Sequence, residues 1–229
     1  MELNTMLSIR NAIAGLALTV FCSTAPAAVI TPGFTFSVAD AFTGASGVGT
    51  HFHSNTGGAF GNPAGLAEVG RLGDEEVRGL SEYDLTGLGA AASAFVTFTV
   101  YQLGGLFGQG NFLGTIGIVS YVGNNTEDLS DFEAVSTGSV ATFDTTGLGV
   151  GDVLSFDITA IFNAAIGAAD TSLGIRLQLD PLVRPNEAIV FNDFRLTTDD
   201  QTTRVPEPGT LALLGLALAG LAARRRRIA

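Results

Sequence analysis

The sequence predicts an all-β protein, an antiparallel β-sandwich, on three observations. Segments that alternate apolar with small or polar side chains recur along the chain, the pattern of strands with one buried face. Turns rich in Gly, Asn and Asp separate them, at Gly104-Gly105, Gly123-Asn124-Asn125 and residues 147–152. Long amphipathic helices are missing, and with them the crossovers that a parallel sheet needs.

The elements follow in order. Residues 34–38 alternate Phe, Thr, Phe, Ser and Val; residues 94–101 place Ala94, Val96, Phe98 and Val100 on one side and Phe95, Thr97, Thr99 and Tyr101 on the other. Residues 153–158 repeat the period, and residues 158–169 carry enough Ala and Ile for one short helix. Residues 174–179 and 189–196 complete the set of clear strands. Glycine is abundant, 30 residues, but follows no fixed period, which excludes collagen and β-helix repeats.

Three regions are expected. Arg10 precedes an apolar stretch, residues 12–22, and the small residues Ala25 and Ala27 flank Pro26, so residues 1–27 read as a signal peptide cut before Ala28. Phe21 occupies the place where a lipid-attachment motif needs a small residue, so Cys22 is not read as lipidated. It is the single cysteine, which leaves the mature chain without disulfides. Residues 28–204 make one sandwich domain, long enough to bury a sizeable core.

The last region, residues 205–229, is an address and an anchor. Val205 leads into Pro206-Glu207-Pro208, whose prolines keep the backbone extended and allow a helix to begin only near Gly209 or Thr210. An uninterrupted apolar run of Leu, Ala and Gly follows to Ala223. As a transmembrane helix, residues 210–223 rise about 21 Å, short of a hydrocarbon core of roughly 30 Å. Arg224, Arg225, Arg226 and Arg227 close the run; snorkelling to the headgroups covers part of the gap, and their charge sets them on the cytoplasmic side. This order of parts resembles the PEP-CTERM sorting signal, the bacterial tail recognised by exosortase, a membrane-embedded cysteine protease-transpeptidase. The resemblance implies that the chain is a substrate of that enzyme, that Glu207 serves recognition, and that the source is a Gram-negative bacterium making extracellular polymer.

A looser resemblance covers residues 75–196. Residues 78–88 (Arg-Gly-Leu-Ser-Glu-Tyr-Asp-Leu-Thr-Gly-Leu), residues 93–101, and residues 151–159 with 174–177 resemble secreted jelly-roll modules of the DNRLRE type, some of which bind polysaccharide. The resemblance implies a jelly-roll-like sandwich. The chain departs from it by having no tryptophan, the commonest platform for a sugar ring, which leaves Tyr83, Tyr101 and Tyr121 as candidates.

Charge narrows the function. The 11 basic residues less Arg10 and the four terminal arginines leave 6 in residues 28–204; the 22 acids less Glu2 and Glu207 leave 20, a net of −14. Such a surface repels nucleic acid and attracts divalent cations or basic partners. The chain has no lysine, which removes Schiff-base chemistry and a P-loop. Neither Gly-x-Ser-x-Gly nor His-Glu-x-x-His occurs, so nucleophilic hydrolases and zincins are excluded.

Binding residues are fewer. His51 and His53 stand two apart and would share one side of a strand, where they could hold one metal, but residues 47–61 read as a loop and no third ligand can be named. Carboxylates cluster at Asp74-Glu75-Glu76, at Glu127-Asp128 with Asp131 and Glu133, and at Asp199-Asp200, all hard oxygen donors suited to Ca²⁺, without EF-hand spacing. Asp193 lies within an apolar strand; facing inward it would need Arg176, Arg195 or a cation. Glu75, Glu76 and Asp193 are the expected ligands of a structural Ca²⁺. Thr97-Phe98-Thr99 is a single Thr-x-Thr, too little for an ice-binding face.

The expectation is a non-enzymatic, exosortase-sorted protein of the envelope or extracellular matrix, with the sandwich as a structural or interaction module. It would be held briefly at the inner membrane, with exosortase and possible extracellular polysaccharide as partners. The alternatives are a Ca²⁺-dependent carbohydrate-binding surface module and, third, a secreted glycan-active enzyme.

Overall fold

In the computed structural model, residues 29–41, 49–53, 57, 65–180 and 186–198 are described. The expected signal peptide, the Pro-Glu-Pro tail with its apolar helix and Arg cluster, and Asp199-Asp200 lie outside these residues. Among the described residues no helix is long and apolar enough to cross a membrane.

The described chain folds into twelve strands and one α-helix: β1 (Val29–Pro32), β2 (Phe34–Asp40), β3 (His51–Phe52), β4 (Ala67–Leu72), β5 (Glu75–Asp84), β6 (Phe95–Leu103), β7 (Gly110–Asn111), β8 (Thr115–Val122), β9 (Ser136–Asp144), β10 (Val153–Asp157), α1 (Thr159–Ala168), β11 (Ser172–Leu179) and β12 (Glu187–Thr197). The strands hydrogen-bond in the order β10-β6-β12-β4-β5-β11-β8-β9; β1 and β7 add to β12, and β2 with β3 line the other edge of β5. All pairings are antiparallel except the two-residue β7–β12 contact. The result is the expected antiparallel sandwich, made by one sheet that folds over itself.

The fold-over occurs at β4. Gly70 pairs with Ala188 of β12 on one edge and with Val77 of β5 on the other. A Cβ there would collide with Ala188 and with the Glu187 carbonyl, so only glycine lets β4 lie this close to β12. Between them lies an aromatic core. Phe98 of β6 stacks on Phe194 at 4.7 Å and on Phe156 at 5.7 Å, and meets Phe191 edge-on at 5.2 Å; Phe143 of β9 contacts Phe156 and Phe191 at 5.5 and 6.0 Å. Val96, Val100, Ile116, Ile118, Ile175 and Leu177 fill the rest by period-two alternation.

Phe191 and Phe194 are three apart yet both point inward, which strict alternation forbids. The register slips between Asn192 and Arg195, and Asp193 adopts a left-handed φ of 53°. This bulge inserts one extra residue and turns the second Phe back to the core. Asp193 is therefore the bulge residue, facing outward.

Helix α1 lies over the core through Phe162 and Ala165, starting one residue after and ending one residue before the sequence expectation. The Asp157 carboxylate accepts the Thr159 backbone N–H at 2.8 Å and its hydroxyl at 2.6 Å, an Asx-type turn leading into the helix. Ala169, at φ 57°, ends it in the left-handed conformation.

Phe98 touches both layers, so Phe98→Ala is expected to cost about 3–5 kcal/mol in urea unfolding. A loss below about 1 kcal/mol would show that the core does not close on this ring.

Candidate functional site

Beyond the main core, two ionic clusters are built from the strands. The first lies on the outer face of β2, β5, β11 and β8, where register sets Phe34, Glu82, Gly174 and Tyr121 in one row and Phe36, Leu80 and Arg176 in the next. Residues 123–135 cross over it as a lid whose 3-10 turn, Leu129–Glu133, inserts Phe132 beside Phe34, Phe36, Val38 and Leu80. The Tyr121 ring occupies the space that a Cβ at Gly174 would need.

Two arginines fasten this lid. Arg78 donates to the Phe132 carbonyl at 2.6 Å, pairs with Glu76 at 2.7 Å and Glu133 at 3.0 Å, and packs its guanidinium on the Phe132 ring at 4.1 Å. Arg176 donates to the Asp131 and Ala134 carbonyls, each at 3.0 Å. Glu82 Oε2 accepts from Ser172 Oγ and from the backbone N–H groups of Asn124 and Asn125 at 2.7–3.0 Å.

Burial dominates the electrostatics. It raises the Glu82 carboxyl despite these hydrogen bonds, and it raises Tyr121 well above its ordinary value, with the Glu82 and Asp131 charges adding. Asp131 is pushed up to about 7, by burial first and then by the charges of Glu82 and Asp128. Burial, and then neighbouring Arg78, lower Arg176.

The second cluster joins β3, β4 and the start of β5. His53 Nδ1 lies 2.7 Å from Glu68 Oε2, with both side chains buried, and its Nε2 lies 3.3 Å from Glu75 Oε1. His51 Nε2 lies 3.5 Å from Glu75 Oε2, and its Nδ1 meets Thr50 Oγ1 at 3.0 Å. Glu68 Oε1 accepts the Leu106 N–H at 3.0 Å, and Phe107 packs edge-on against the His53 ring at 4.8 Å. Residues 51–52 thus form a strand where the sequence reads as a loop.

The expected Ca²⁺ ligands have separate partners: Glu75 the two histidines, Glu76 the guanidinium of Arg78, and Asp193, its side chain 59% exposed, Arg195 at 3.9 Å. The structure does not bring these three together. Tyr83 and Tyr121 are fully buried, while Tyr101 is 46% exposed. Glu68 escaped the sequence reading, since one Glu in a short Ala-Glu-Val-Gly strand carries no pattern of its own.

Residues 204–227 match the family described as "PEP-CTERM protein-sorting motif". Residues 204–227 are thus a PEP-CTERM sorting motif, a tail that indicates export, transient membrane anchoring and processing by exosortase. No curated protein matches it. Among solved structures it is similar to the CBM22-1–GH10 modules of xylanase 10B from Clostridium thermocellum, complexed with xylohexaose, at 10% identity and TM-score 0.28 over 79% of this chain and 29% of that one. A crystal structure of "domains CD" is similar at 13% identity and TM-score 0.26, over 77% of this chain and 64% of that one. The chain thus spans less than two thirds of either.

Asp131 gives a pH prediction. Its folded value near 7 exceeds the unfolded one near 4, so the native state holds its proton more tightly. The stability this contributes is fully present below about pH 4 and is lost as pH rises through about 7. Urea midpoints should fall between pH 5 and pH 8, and fall less in Asp131→Asn; an equal fall in both proteins would remove Asp131 as the cause.

Proposed function

We propose that residues 28–204 are the exported cargo of this address, serving as a non-catalytic structural or interaction module in the cell envelope or extracellular polymer matrix of a Gram-negative bacterium. The observation that carries the reading is the sorting motif at residues 204–227, attached to a sandwich whose described strands pack into their own core. The outermost strand β9 offers Ser136, Thr137, Ser139 and Thr142, a polar sheet face of the kind that suits lateral packing in a matrix.

A Ca²⁺-dependent carbohydrate-binding module has less support. Its expected aromatic platforms are mostly in the core, and its expected ligands Glu75, Glu76 and Asp193 engage different partners. A secreted glycan-active enzyme is the third reading.

The tail supplies the test. With exosortase present, intact mass of the extracellular protein should place the new C-terminus near Pro206, and replacing Arg224, Arg225, Arg226 and Arg227 by Gln should leave the chain ending at Ala229 in the membrane fraction. Unchanged processing of that variant would overturn the tripartite reading.

A further inference from the structure

We propose that the outer edge of β10, away from β6, accepts an extended segment of a partner protein as an added strand, the segment being apolar on one face and flanked by basic residues. This role rests on reading residues 28–204 as an interaction module, and an internal repeat points to it. Asp84-Leu85-Thr86-Gly87-Leu88-Gly89 after β5 recurs as Asp144-Thr145-Thr146-Gly147-Leu148-Gly149 after β9. Val96-Thr97-Phe98-Thr99-Val100 of β6 recurs at β10 as Leu154-Ser155-Phe156-Asp157-Ile158, and Thr115-Ile116-Gly117-Ile118 of β8 recurs in β11 as Ser172-Leu173-Gly174-Ile175.

The two copies are also structural twins. In both turns the Asp carboxylate accepts the backbone N–H two residues on, at 2.9 and 2.7 Å, and Gly87 and Gly147 are left-handed, at φ 75° and 83°. Strand register repeats as well: Leu173↔Tyr83 and Gly174↔Glu82 of β11 and β5 match Ile116↔Phe143 and Gly117↔Thr142 of β8 and β9. Between the copies, the Val100 N–H bonds the Asp152 carbonyl, and its twin, the Ile158 N–H, bonds the Ala94 carbonyl, each at 2.9 Å. A local two-fold axis therefore passes between β6 and β10.

What differs is the cover. In the first copy, β12 pairs with β6 on the side away from β10, and β2 and β4 pair with β5 on the side away from β11. In the second copy, no strand among the described residues occupies the equivalent edges of β10 and β9. Side chains register the difference: Tyr83, Val96 and Phe98 are fully buried, whereas their twins Phe143, Leu154 and Phe156 are only partly so. Phe98 is covered by Phe194 of β12, stacked at 4.7 Å, the contact that an added strand would supply to Phe156.

Of the two edges, β10 is the better acceptor. β9 slips register against β8 around Thr137 and Val140, and bulges of this kind blunt an edge. β10 is regular from Val153 to Asp157. With Val100 bonded to Asp152 and Ile158 to Ala94, antiparallel alternation turns the backbone groups of Leu154 and Phe156 toward β6 and those of Val153 and Asp157 away from it. The flanks set the partner's charge. Asp152 and Asp157 are exposed at the two ends of the strand; a second β10 would bring its own acids beside them, whereas basic residues complement them.

The probe is the strand that fills the twin edge: residues 189–197 as a dye-labelled synthetic peptide with two arginines added at each end, compared with the same peptide carrying two glutamates at each end. With the full chain in detergent, the expected result is saturable one-to-one binding of the arginine form by fluorescence anisotropy, weakening as salt is raised, and new hydrogen-exchange protection at residues 153–157. Val153→Pro removes an outward N–H at the first residue of an edge strand, where proline is tolerated, and should weaken binding about 10-fold. Asp152→Asn with Asp157→Asn keeps the acceptors of their turns and should abolish the preference for arginine ends. Equal binding of both peptides to the unmodified chain, no gain of protection at residues 153–157, or unchanged affinity in Val153→Pro would overturn the proposal. So would protection there that rises with protein concentration before any peptide is added, which would put a second copy at this edge. Intact mass of the sorted tail is a separate readout, so a failure of peptide binding and a failure of sorting are told apart.

Discussion

The rest of the structure depends on apolar contact between the two layers of one folded sheet. With Cys22 its single cysteine, the chain can form no internal disulfide, and it carries a large excess of acidic residues whose mutual repulsion opposes compaction. What offsets this is the ring cluster around Phe98, to which β6, β9, β10 and β12 each contribute at least one phenylalanine. Two backbone devices make the cluster possible: the side-chain-free crossing at Gly70, and the bulge at Asp193 that brings Phe194 onto the same face as Phe191.

Once the layers are fixed, polar groups on the outer faces acquire defined neighbours. The lid over β5 and β11 is held by arginine contacts to backbone carbonyls and by Glu82 accepting backbone N–H groups. These contacts satisfy polar groups that the second, smaller core of Phe34, Phe36, Leu80 and Phe132 takes out of water. The histidine cluster depends on the same scaffold, since Ser37 of β2 receives the Glu68 N–H on its hydroxyl and the His53 N–H on its carbonyl.

How legible this was differs by element. β2, β6, β10, β11 and β12 stand out because Val, Ile and Phe alternate with polar residues, and the sandwich follows from them. Most of β5 was hidden: Glu76, Arg78 and Glu82 look like a solvent face and become buried only because a lid from residues 123–135 covers them. β9 was hidden because Ser, Thr and Gly dominate it, as suits an outermost strand. The sequence left the face of Asp193 open within an apolar run, and the bulge that turns it outward leaves only the Phe-Asn-Asp-Phe spacing as a trace. His51 and His53 were legible as a pair on one side. Their partners Glu68 and Glu75 come from register between strands, which no local pattern encodes.

A self-sufficient sandwich whose tail is only an address should unfold in urea alike with and without that tail. With aromatic and far-UV circular dichroism followed together, one coincident cooperative transition is expected, with the same midpoint before and after removal of the residues beyond Pro206. A broad or shifted transition in the released form would contradict it, because stability would then reside in the segment assigned to sorting.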